Sequence, residues 1–171
     1  IHLFTQSKGL LKWDKDLLTF KPDKIFQNTI TLGSVSGNFS YENVLKEVNE
    51  KLSLLKGIND LEVKLDIDGP SDFQIKELWE TKNLKKSLWS KSFIDLQNDV
   101  TTKDLKQAVT EGFNRIEHLK RFTTNSMGTD QGKISSINAL GIVSKILKKD
   151  ISEVGTTTYR PPYAPLNFSA I

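Results

Sequence analysis

Two apolar stripes at helical spacing, joined by a polar loop that carries glycines, constrain this chain more than anything else in it. Leu105, Ala108, Val109, Gly112, Phe113, Ile116 and Leu119 form the first stripe, and Ile134, Ile137, Leu140, Gly141, Ser144 and Leu147 the second. Each face needs a partner to cover it, so the spacing predicts a helix–loop–helix pair packed on itself. The first helix is expected to run unbroken from Thr101 or Thr102, where Thr101 and Asp104 have capping-box spacing, to Leu119. Gly112 inside its stripe predicts close approach of another backbone. The second helix is expected to start at Gly132 and Lys133.

The joining segment, KRFTTNSMGTDQGKIS over residues 120–135, has the chemistry of an anion-holding turn. A helix start presents unpartnered N–H groups and the positive end of the dipole. Gly128 and Gly132 permit close main-chain approach, Thr123, Thr124, Thr129 and Gln131 supply donors, and Lys120, Arg121 and Lys133 supply charge. A phosphate suits such a site. An ordinary connection capped by Asp130 or Thr129 fits the same residues. The GTDQGK spacing is a residue short of a P-loop and follows a helix instead of a strand, which argues against a nucleoside triphosphate.

Upstream, residues 1–39 read as strands and turns: an apolar opening strand over 1–5, a turn at Gly9, a segment from Trp13 to Phe20, a Pro22-Asp23 turn, and a strand over 25–32. The GSVSGNFS turn follows. Ser40 is placed to cap a helix whose face is Val44, Leu45, Val48, Leu52 and Leu55 and which ends near Gly57. Strand, small-residue turn and helix in succession resemble the corner where α/β folds hold dinucleotide phosphates, although GxGxxG is absent and glycines serving backbone geometry alone are the commoner explanation. Residues 58–91 are irregular, broken at Gly69-Pro70, and read as a connecting arm packing Trp79 and Trp89 onto a neighbouring surface; stacking of these rings on single-stranded nucleic acid is the less common use. Prolines 161 and 162 predict an extended strap after residue 155, with Arg160 placed to hold an anion or to stack on Tyr159 or Tyr163. The expected fold class is α+β: residues 1–57 with short strands and one helix, the arm at 58–91, and a mainly helical module over 92–171.

Composition removes whole classes of chemistry. The 171 residues contain no cysteine, which excludes disulfides, thiolate metal sites, iron–sulfur ligation and a cysteine nucleophile. Two histidines, His2 and His118, leave little for base or metal chemistry, and His118 is expected to be a satisfied or solvent-facing histidine and not a metal ligand. A net charge of +3 is too mild to imply nucleic-acid binding. With no apolar run of membrane-spanning length, the expectation is a cytoplasmic protein. The opening Ile1 reads as a fragment, a processed chain or a subunit piece.

Residues 92–133, the later EVGTTTYRPPY, and at the start IHLFTQSKGLLKWDKDLLTFKP and LGSVSGNFS resemble the α subunit of heterotetrameric sarcosine oxidase. The motifs DLQNDVT, TDQGK and EVGTTTYRPPY carry most of that resemblance. It implies the tail of an NAD-binding region followed by a small helical module like the bacterioferritin-associated ferredoxin domain, here without its cluster-binding cysteines. It further implies a folate domain beyond residue 171, β, γ and δ partner subunits, FAD on β, tetrahydrofolate as one-carbon acceptor, and a covalent FMN between α and β. Carried over by position, Thr123, Thr124, Thr129, Gln131, Gly132 and Lys133 become candidate FMN contacts. Gly33, Ser34, Gly37 and Asn38 become candidate borders of an NAD site. No catalytic residue and no metal ligand is expected in the chain, and residues 1–57 are expected to be stable only with partners. Two other readings stay open: a component of a dye-linked amine, opine or proline dehydrogenase, and a non-catalytic helix-turn-helix module using Lys103, Lys106, Lys120, Arg121 and Lys133.

Overall fold

The structure, a computed structural model, describes residues 1–53, 75–81, 91–160 and 167–170. It divides into two compact units, Ile1–Lys76 and Glu77–Ile171. The expected helix end at Leu55 and Gly57, the Gly69-Pro70 break, Trp89 and residues 161–163 lie outside the described residues.

In the first unit the opening segment is a short helix, α1 (His2–Gln6), not the expected strand. Alternation over five residues could not distinguish the two, and Phe4 settles the matter by burying its ring over Gly9, where a Cβ would stand 2.3 Å from it. Strands β1 (Leu10–Asp14) and β2 (Thr19–Lys24) form an antiparallel hairpin pairing Trp13 with Phe20, whose rings meet edge-to-face at 4.9 Å. Asp14 shapes the turn by accepting the amides of Asp16 and Leu17 and pairing with Lys21 at 2.6 Å. Pro22 and Asp23 therefore lie in β2 rather than in a turn, and residues 25–32 form no strand. After a turn of 3₁₀ helix (Gly33–Val35) comes α2 (Tyr41–Leu52), with Ser40 in the extended conformation of an N-cap.

The second unit holds the main core. A short antiparallel pair, β3 (Phe93–Asp95) and β4 (Val100–Thr101), leads into α3 (Thr102–Thr110) through a Thr101–Asp104 capping box. The stripe read as one helix is two. α3 ends at Thr110, Gly112 with its φ of +94° bars continuation, and α4 (Ile116–Thr123) starts after three further residues. Nothing lies within 4 Å of a Cβ built on Gly112, so its glycine serves the backbone conformation and no close packing. α5 (Ser135–Leu147) begins two residues later than expected and is covered on most sides: Ala139, Leu140, Ile142 and Val143 are all buried, whereas Ile134 at its mouth is exposed. Leu105, Ala108 and Leu119 complete the core with no exposed surface. Trp79 packs on α5 at Gly141, where a Cβ would stand 2.3 Å from the ring. α6 (Ile151–Val154), capped by Asp150 and Glu153, precedes an extended segment over 156–160.

Candidate functional site

The loop from α4 to α5 owes its shape to one buried carboxylate. Asp95, at the end of β3 and 3% exposed, accepts the amides of Gln97 and Asn98 on one oxygen and that of Ser126, at 2.8 Å, on the other. Burial opposes its charge, but those three N–H donors outweigh it and hold the carboxyl below its usual range. Ser126, fixed with φ +65°, shares hydrogen bonds with the hydroxyls of Ser135 (3.1 Å) and Ser136 (2.8 Å) and with Asn125 Nδ2 (2.9 Å). Gly132 fits into this cluster only because it lacks a side chain: its φ is +74°, and a Cβ would meet Ser126 and Ser136 at 2.3 Å.

Asp130 braces the turn before α5, accepting from Gly132 N at 3.0 Å and Ile134 N at 3.5 Å, but it does not cap the helix: the N-cap position is Ile134, with no side-chain cap. Thr123 donates to the Leu119 carbonyl, Thr124 (φ +61°) ends α4, and Thr129 bonds Gln97. Lys133 is exposed. Of the six expected FMN contacts, only Gln131 reaches the space where the cations gather.

That space is a cavity of about 440 Å³ on the outer side of the loop, lined by Lys120 and Arg121 of α4, by Ser126, Met127, Gly128 and Gln131, and by Thr156, Thr158 and Arg160 of the extended segment. It falls within the roughly 300–1,000 Å³ typical of ligand sites. Glu117 also lines it, pairing with Arg121 at 2.8 Å. The extended segment is fastened across the opening by its main chain: Thr158 N donates to Glu117 Oε1 and Arg160 N to Gln131 Oε1, both at 3.1 Å. Tyr159 turns inward to bond Ser136, and burial raises its pKa. Arg160 was singled out in the sequence as a candidate anion holder, but that it and the hydroxyls of Thr156 and Thr158 meet the loop was not legible, because they join it only through tertiary contacts.

The glycine turn of the first unit is closed by a carboxylate. Glu47 of α2 accepts Gly33 N at 2.9 Å and Asn38 Nδ2 at 2.8 Å on one oxygen and pairs with Lys51 at 2.6 Å on the other. Burial works against its ionisation, yet these partners bring its pKa to about 2. The donors offered by Gly33 and Asn38 are thus taken, and a dinucleotide phosphate reaching the turn would have to displace Glu47. Among the described residues no group of three or more His, Asp or Glu is arranged to hold a metal, and no helix is long and apolar enough to cross a membrane. Two of the five cations of the helix-turn-helix reading are already in ion pairs, Lys106 with Glu80 and Arg121 with Glu117.

The unit that builds this cavity is also where a family model matches: the sarcosine oxidase A3 domain, over residues 89–171. Over these residues, just under half of its length, the chain is similar to the sarcosine oxidase A3 domain family. It is 47% identical over 94 residues to the sarcosine oxidase subunit alpha of Rhizobium meliloti strain 1021, an alignment covering 55% of this chain and 9% of that protein. With the sarcosine oxidase subunit alpha of Corynebacterium sp. strain P-1 it shares 31% identity over its whole length, and with that of strain U-96, 29%. The chain spans 18% of the length of either Corynebacterium protein. The sarcosine oxidase relationship therefore extends over both units, and the A3 match confines itself to the helical one.

Proposed function

We propose that this chain is part of the α subunit of a heterotetrameric sarcosine oxidase and that its helical unit helps to hold FMN at the interface with a β subunit. The enzyme would carry out oxidative demethylation of sarcosine to glycine with oxygen as final acceptor, in the cytoplasm, with FAD on β, tetrahydrofolate on a folate domain, and γ and δ subunits completing the complex. The observation that carries the reading is the coincidence of the A3 match with the unit whose cavity gathers Lys120, Arg121 and Arg160.

The residues present fit one end of FMN. Three cations lower the energy of a phosphate, Gln131 and the hydroxyls of Thr156 and Thr158 supply orienting groups, and Met127 offers an apolar wall. FMN, when bound, supplies reversible electron transfer. The chain's own share is to bind, to orient and to limit water: Asp95 fixes the loop through Ser126, Gly132 lets the serine cluster close beneath it, and the 156–160 segment covers it. The positions carried over from the family, Thr123, Thr124, Thr129, Gly132 and Lys133, would act through the shape of the loop, with Gln131 in contact. Gly33, Ser34, Gly37 and Asn38 remain the proposed border of an NAD site that Glu47 must vacate.

The test is flavin stoichiometry in the assembled enzyme. Replacing Gln131 and Lys133 by alanine should lower FMN per complex while FAD stays constant. Full FMN incorporation with normal electron transfer in that variant would refute the assignment of FMN to this loop.

A further inference from the structure

We propose that the cavity bounded by α4, the α4–α5 loop and residues 156–160 is a subsite for a phosphate monoester in its dianionic form, with Arg160 and Lys120 as the anion-binding residues and Glu117 as the internal carboxylate the ligand displaces from Arg121. The chemical class follows from this chain's own charges; only the identification of FMN as the source of the phosphate rests on the function proposed above.

Three cations against one carboxylate leave the lining with a surplus of two positive charges. A phosphate monoester carries nearly two negative charges at pH 7, so it neutralises the site where a carboxylate would leave it half compensated. Arg121 is held by Glu117 through Nη1, which also reaches the Glu117 carbonyl at 2.6 Å, and Lys120 lies in the field of the same carboxylate. The Arg160 guanidinium has no ion-pair partner among the described residues. The backbone that carries it is held at the cavity edge, because the Arg160 amide is tied to Gln131 and that of Thr158 to Glu117. A cation carried at a cavity edge on a backbone held by main-chain bonds, with no ion-pair partner among the described residues, is available to an external anion.

Entry of the dianion changes specific bonds. Its oxygens take N–H donors of Arg160, Arg121 and the Lys120 ammonium, together with the Thr156 and Thr158 hydroxyls. Glu117 gives up its Oε2 contact with Arg121 but keeps Oε1 on Thr158 N, so the covering segment stays in place. No bond to phosphorus is made or broken, and no proton transfer is required.

The experiment uses the assembled oxidase complex with Arg160→Ala, Lys120→Ala and Arg160→Lys, all at positions outside the core. Two quantities are read: FMN covalently incorporated per FAD, and binding of inorganic phosphate to complex prepared without FMN, followed by ³¹P line width with chloride as control. Each alanine variant should weaken phosphate binding about tenfold or more, and Arg160→Lys should restore part of it. Loss of both quantities supports the subsite and identifies the flavin as its source. Loss of phosphate binding with FMN intact also supports it, but assigns a free phosphorylated metabolite as the ligand and refutes the placement of FMN here. If FMN falls in the Gln131 and Lys133 variant while Arg160→Ala and Lys120→Ala leave both quantities unchanged, the flavin reading survives and this subsite is overturned. Phosphate binding no weaker in either alanine variant overturns it whatever the flavin does.

Discussion

Gly141→Ala should destabilise the helical unit even though alanine is the better helix former. In the middle of α5 the substitution contributes roughly 0.5–1 kcal/mol of helix stability. Against this, the new Cβ would lie 2.3–2.6 Å from three atoms of the Trp79 indole, and ordinary carbon contact is roughly 3.5–4.0 Å. The ring must retreat by more than an ångström. Trp79 is 9% exposed, and a buried tryptophan of about 150–250 Å² is worth roughly 4–6 kcal/mol at about 25 cal/mol per Å² if it is expelled entirely. Partial retreat should cost what overpacking usually does, about 1–3 kcal/mol. The flanking ion pairs, Glu77–Lys145 at 3.1 Å and Glu80–Lys106 at 3.7 Å, are exposed and too weak to compensate. A net loss of about 1–2 kcal/mol follows, measurable as a lower urea midpoint with reduced near-ultraviolet dichroism. A double-mutant cycle isolates the cause: with Trp79→Ala already present, Gly141→Ala should become stabilising by roughly 0.5–1 kcal/mol. Equal stabilisation in both backgrounds would refute the seating of Trp79 on α5.

The glycine turn of the first unit should lose stability in acid. Glu47 has its pKa depressed from 4.5 to about 2, so its contribution is complete above pH 4.5 and disappears as pH falls towards 2. The full depression corresponds to about 3 kcal/mol at most, and solvent screening reduces it to about 1–2. Glu47→Gln should flatten this part of a pH-stability profile; an unchanged slope would refute the linkage. Asp95→Asn should cost about 1–3 kcal/mol, because an amide cannot accept all three main-chain donors and turns its own N–H₂ towards one of them. Faster hydrogen exchange at the Ser126 amide is the expected signature, and native exchange there would count against the role given to Asp95.

What was legible in the chain was whatever depends on neighbours in sequence. The Thr101–Asp104 cap, the existence of α5, the Ser40 start of α2 and the α+β class are local matters of spacing and capping, and the structure has each of them, although the buried surface of α5 is broader than the expected stripe and leaves Ile134 exposed. The break at Gly112 was hidden because a stripe can keep its period across a short interruption when both helices face the same core. Glycine was read there as a packing residue when the backbone sign was the reason. α1 and the coil over 25–32 were misread because short apolar runs carry no period long enough to separate strand from helix or from neither. At the candidate site, the loop's cations and a role for them with an anion were read from the sequence, but the residues that shape and close the cavity were not. Asp95 comes from 31 residues upstream to shape the loop, and Arg160 from 29 residues downstream of Gln131 to complete the cavity.

The way the covering segment is fastened has a consequence for how such a site changes over time. Thr158 and Arg160 are held by their amides, and a main-chain N–H is supplied by every residue except proline. The closure and the chemistry are therefore separately heritable. Substitution at position 160 can exchange a guanidinium for an ammonium, an amide or a carboxylate while the strap stays shut, and under the proposed anion-binding role it would retune which anion is admitted. The constraint falls instead on the two acceptors beneath it, Glu117 and Gln131, and a drift in ligand preference should leave that pair intact.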